Sequence, residues 1–88
     1  MSIASEMDLA AVTARVNGEL RKYGDPDGSW LGRIRYLQDL NASCIADDAA
    51  AGRTPYRPWV EDFIVLSMMR ERVVKVQLTE ALAGLAKS

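Results

Sequence analysis

Apolar residues recur along this chain at helical spacing in three stretches, separated by two segments rich in turn-forming residues. In the first stretch Leu9, Val12, Val16, Leu20 and Tyr23 follow at intervals of 3, 4, 4 and 3, which places them on one face of a helix. Ser5-Glu6-Met7-Asp8 has the form of a capping box, with Asp in place of the usual Glu. Arg21 and Lys22 suit the negative end of the dipole, and Gly24 can supply a left-handed cap. A helix over about 5–23 is predicted. Gly18 inside it reads as a tolerated weak spot before it reads as a close helix crossing.

Asp25-Pro26-Asp27-Gly28 is turn chemistry. It is not a calcium loop: counted from Asp25, the required glycine position holds Trp30 and the bidentate glutamate position holds Tyr36. The second helix is expected over about 29–51, with Ser29 as N-cap and Gly52 just beyond the end. Its buried stripe is read as Trp30, Ile34, Leu37, Leu40, Cys44 and Ile45, with Arg33, Arg35, Asp39 and Asp47 facing away and Arg35 within pairing reach of Asp39. The link Gly52-Arg53-Thr54-Pro55-Tyr56-Arg57-Pro58 is stiff. Pro58 is placed at the first position of the last helix, with Glu61 and Asp62 in its first turn.

The last stretch, about 58–86, is the most informative. It has no proline after Pro58 and no glycine before Gly84. As one helix it runs about 40 Å, whereas a compact chain of this size has a radius of gyration near 12 Å. Such a helix must project, bend or bury its far end against another chain. From Trp59 to Met69 nearly every position is apolar, so this half belongs to the chain's own core, Met68 and Met69 included. Arg70-Glu71-Arg72 then puts charge on most of the circumference and is the place where the helix would break, near 70–73. Beyond it Val73, Val74, Val76, Leu78, Leu82 and Leu85 are apolar again and are read as a dimer interface. The alternation over residues 73–79 leaves a second continuation open, a short strand pairing with its twin; the helix is preferred because no other convincing strand occurs.

Composition narrows the function classes. Eighty-eight residues with 49% apolar side chains make one domain with a core near the lower limit of independent stability. Eleven basic and twelve acidic residues are interspersed for a net charge of −1, which disfavours a general nucleic-acid binder. The first residues lack a positive n-region and contain two acids, so no signal peptide is expected. The longest apolar run is Phe63–Leu66, short of the roughly 20 residues needed to span a bilayer. A cytoplasmic protein is expected, and the Arg-over-Lys and alanine bias suits a bacterial, phage or plasmid origin.

Histidine is absent and Cys44 is the only cysteine. Cys44 lies beside Leu40 and Ile45, as an inert core thiol does. Asp47 with Asp48, and Glu61 with Asp62, point about 100° apart on a helix and make poor metal pairs. No cofactor, metal site or catalytic set is expected. The group Arg53, Tyr56 and Arg57, with Trp59 and Trp30 nearby, has interface composition, and a rigid exposed linker is a good place to present contacts. Arg33 and Arg35 form a second candidate face. The expected architecture is all-α: a hairpin of the first two helices packed on a long C-terminal helix, completed by homodimerisation. The expected function is non-catalytic binding of another protein, as an inhibitor, antiactivator or adaptor. A small DNA-binding regulator is the alternative.

Overall fold

The computed structural model describes residues 7–23 and 29–87, and among these the chain is helical with no strand. Three helices follow in order: α1 (Leu9–Lys22), α2 (Trp30–Ala50) and α3 (Arg57–Lys87). The choice between strand and helix after Val73 falls to helix, and α3 runs unbroken through Arg70-Glu71-Arg72. Charge on three successive positions does not interrupt it because that part of the helix is already leaving the core: Arg70, Glu71 and Arg72 are all exposed.

Local chemistry sets the helix ends. Asp8 is the N-cap of α1, its carboxylate accepting from the Ala11 amide at 3.2 Å. The helix therefore starts later than the box at Ser5 implies, and Ser5 itself, like Gly24 and the 25–28 turn, lies outside the described residues. Ser29 caps α2 as expected, accepting from the Gly32 amide at 2.9 Å. At the other end of α2, Gly52 at φ +76° closes a Schellman motif, with its amide on the Ala49 carbonyl and the Arg53 amide on the Asp48 carbonyl. Gly18 has nothing within 4 Å of an added Cβ, so it marks no close crossing.

The core is a single cluster: Val12, Val16 and Leu20 from α1, Ile34 and Leu37 from α2, Val65 and Leu66 from α3. The dominant pair is α2 with α3, while α1 meets α2 least. The short α2–α3 link makes these two the antiparallel hairpin, with Gln38 opposite Ser67 and Asp48 opposite Tyr56. This corrects the expected hairpin of the first two helices. α1 also lies against α3, Leu9 and Thr13 beside Val65–Arg72 and Arg15 beside Pro58 and Asp62.

The buried stripe of α2 also differs from the expected one. Ile34 and Leu37 are buried, but Trp30 and Leu40 are 42% and 45% exposed, Cys44 and Ile45 are half-buried, and Gln38 and Asn41 take the central places. Gln38 tolerates burial because Ser67 Oγ accepts from its Nε2 at 3.1 Å and its Oε1 accepts from Arg70. Met69 packs on the core as expected, whereas Met68 is exposed.

α3 is about 46 Å long, and the molecule extends 54 × 31 × 24 Å with a radius of gyration of 15.5 Å. The core ends at Val73. Every residue from 74 to 87 is exposed, so the last fourteen described residues of α3 form an overhang.

Candidate functional site

Three regions carry the candidate residues. The first is the overhang. Val74, Val76, Leu78, Leu82 and Leu85 are 43–71% exposed, so each large apolar side chain still has roughly half or more of its burial energy to gain. Val73 does not belong with them: it packs against the domain's own core. Val76 stands about 200° round the helix from Leu78 and lies instead with Arg72, Val73 and Gln77 in a separate apolar hollow. The stripe that acts as one face is Val74, Leu78, Leu82 and Leu85.

The second region is the α2–α3 link. Asp48 organises it. One carboxylate oxygen accepts from Arg53 Nε and Nη2 at 3.2 and 3.0 Å, and the other accepts from the Tyr56 amide at 3.3 Å. Tyr56 stacks edge-on against half-buried Trp59, ring centres 5.2 Å apart. Arg57 bonds Glu61 one turn on, at 3.4 Å. Arg53, Tyr56 and Arg57 are thus brought together on an exposed corner held by hydrogen bonds to Asp48 and Glu61. Trp30 is not part of it, since it stands at the opposite end of α2, about 30 Å away.

Arg33 and Arg35 do not form a common face. Arg33 donates to the Leu20 carbonyl at 3.2 Å, stitching the end of α1 to α2, and its guanidinium lies 5.7 Å from the Trp30 ring centre. It faces the protein, contrary to the outward orientation expected of it. Arg35 and Asp39 are exposed.

The third region was not legible in the sequence. Asp62, only 4% exposed, accepts from Arg15 Nε and Nη2 at 3.0 and 2.6 Å, both on the same oxygen. Arg15 Nη2 also lies 3.6 Å from Glu61. Its hydrogen bond to Asp62 holds the Arg15 pKa above its ordinary value, against the opposing effect of burial. The position of Glu61 and Asp62 was expected to reflect the helix dipole, but α3 starts at Arg57 and its first turn holds no acid. Pro58 accordingly stands second. The two acids are placed to grip α1, and an ion pair 47 positions apart in sequence leaves no local pattern to find.

Glu19, one turn beyond Arg15, has its pKa raised by burial and by the nearby Asp62 charge. A carboxyl group whose folded pKa is raised binds protons more readily in the native state, so its ionisation opposes folding as pH rises above its unfolded value. Glu19→Gln should therefore melt higher than the parent at pH 7. The gap should close as the pH falls towards 4, because protonated Glu19 is nearly isosteric with glutamine. Thermal melts at pH 4, 5, 6 and 7 measure this directly.

Among the described residues no three acidic or cysteine side chains converge as metal ligands would, and no helix is long and apolar enough to cross a membrane. In comparisons with family models, curated proteins and solved structures, the chain shows no significant match.

Proposed function

We propose that this chain is a non-catalytic regulatory protein that works as a homodimer and acts by direct contact with another protein, as an inhibitor, antiactivator or adaptor. The observation that carries the reading is the overhang: fourteen residues of α3 beyond the core, with Val74, Leu78, Leu82 and Leu85 exposed along one face. A helical extension of that length with no packing of its own gains little beyond near-neutral propagation from the turn that joins it to the domain. Burying its apolar stripe against a second chain stabilises both helix and assembly. Self-association leaves the Arg53–Tyr56–Arg57 corner open for a different protein. Its ordering by Asp48 lowers the entropy lost on binding, and Tyr and Arg are the residue types that anchor interfaces.

The DNA-binding alternative has weaker support. The α2–α3 link, residues 51–56, is longer than the 3–4 residues of a helix-turn-helix. A ribbon carrying Arg70 and Arg72 requires a strand where α3 is helical.

Light scattering is expected to give about 19 kDa, twice the 9.7 kDa chain mass. A monodisperse 9.7 kDa species would defeat the dimer. In a pull-down from host lysate, Tyr56→Ala with Arg57→Ala should stay folded and dimeric yet lose the captured protein. Undiminished capture would move the contact away from this corner. Salt-sensitive retardation of random DNA at low salt would favour the alternative.

A further inference from the structure

The outer side of the α2–α3 pair carries a shallow groove of about 510 Å³, lined by Gln38 of α2 and by Phe63, Ser67, Arg70, Glu71 and Val74 of α3. An apolar hollow with Ala42, Ile45, Val60 and Phe63 continues it towards the link. The face of α3 that borders this groove does not end where the core ends. Ser67, Glu71, Val74, Leu78, Ala81 and Leu85 recur at intervals of 4, 3, 4, 3 and 4, the seam of a two-stranded coiled coil. At its base Ser67 touches α2 through Gln38, and beyond it this seam diverges from the stripe that packs the domain itself. Prolonged past Asp62, Leu66 and Val73, that stripe keeps one large apolar residue, Val76, and then meets Glu80, Gly84 and Lys87. The apolar face of the overhang is therefore continuous with the groove and turned away from the domain's own core.

We propose that the groove is filled by a second copy of this chain, with the two α3 helices antiparallel. Leu85 of each copy then lies opposite Ser67 of the other, Ala81 opposite Glu71, and Leu78 opposite Val74. The inference rests on the self-association proposed above and adds its direction, register and the surface that receives the tail.

Charge and size both select this arrangement. A parallel, in-register pair sets Glu71 against Glu71 on the seam, two like charges face to face, and leaves Ser67 against Ser67 and Ala81 against Ala81 as gaps. The antiparallel pair meets Glu71 with the Ala81 methyl, while its carboxylate stays 3.2 Å from Lys75 of its own helix. Large residues then face small ones, Leu85 on Ser67. The seam spans residues 67–85, about 28 Å of contact, and the isologous pair closes on itself.

Disulfide trapping tests this, since Cys44 is the only native thiol and bridging needs Cα atoms within about 7 Å. On a Cys44→Ser background checked by circular dichroism, Glu71→Cys and Ala81→Cys chains are oxidised separately and mixed. Only the mixture is expected to yield a covalent dimer. A second pair, Val74→Cys mixed with Leu78→Cys, should behave the same way. Either Glu71→Cys or Ala81→Cys linking to itself would establish a parallel pair and overturn the proposal. A light-scattering dimer with no bridge in either mixture would place the interface on another face and overturn it while leaving self-association intact. A monomer by light scattering defeats both readings together.

Discussion

Arg15→Ala should lower the stability of the domain by about 2–3 kcal/mol. Removing one partner of a buried ion pair usually costs about 3–5 kcal/mol, because the remaining charge is left desolvated and unpaired. Asp62 meets that condition at 4% exposure. The Arg15 side chain, by contrast, is 41% exposed, so water already screens the pair and the loss falls at or somewhat below the lower end of that range. In a domain of this size such a loss corresponds to a fall in Tm of roughly 10–20 °C. Charge is only part of the effect. Arg15 also reaches the Pro58 carbonyl at 3.5 Å, so it ties α1 to the start of α3. Arg15→Lys should recover part of the loss, since an ammonium cannot reproduce the two guanidinium contacts to one oxygen. Arg15→Met with Asp62→Leu should recover most of it, because no buried charge then remains. Urea titrations of the four proteins measure all three differences. An Arg15→Ala midpoint within error of the parent would show that the pair holds nothing together.

The fold was legible wherever a local pattern decides structure. Val12, Val16 and Leu20 repeat at helical spacing and are buried, Ser29 caps the helix it precedes, and Gly52 adopts the positive φ that ends it. The departures occur where a neighbouring helix decides. Leu40 looks like core because it is apolar, yet it stands at the side of the face that α3 covers. Gln38 looks like surface because it is polar, yet Ser67 and Arg70 satisfy it under that cover. Helix periodicity defines a stripe about one third of the circumference wide, and tertiary packing chooses where in it the centre falls. Arg15 illustrates the same limit for chemistry: its partner is remote in sequence and the pairing has no spacing rule. The link residues were found by composition, but their common anchor Asp48 was not, because its part follows from a helix end folding back on the loop.

Val74→Asp with Leu78→Asp should release the dimer without unfolding the domain. The two kinds of effect are separable because the core ends at Val73 and both substituted residues lie beyond it. Two side chains from each of two copies leave the interface. At roughly 1 kcal/mol for each half-exposed side chain, that is about 4 kcal/mol, or about a thousandfold weaker association, before the cost of placing aspartates on an apolar seam is added. Light scattering should fall from the dimer mass to 9.7 kDa. The released overhang then has no apolar partner, and although α3 supplies its nucleus, propagation close to neutral over fourteen residues that include Val74, Val76, Thr79 and Gly84 leaves its end frayed. Helicity by circular dichroism should consequently drop by up to about a fifth, the share of helical residues that the overhang holds, while the thermal transition of the remainder persists. Leu66→Ala provides the contrast. It removes a fully buried side chain, costs about 2–5 kcal/mol, and should lower Tm without first separating the chains. If the double aspartate variant stays dimeric and keeps its helicity, the overhang is stable by itself and association belongs to another face.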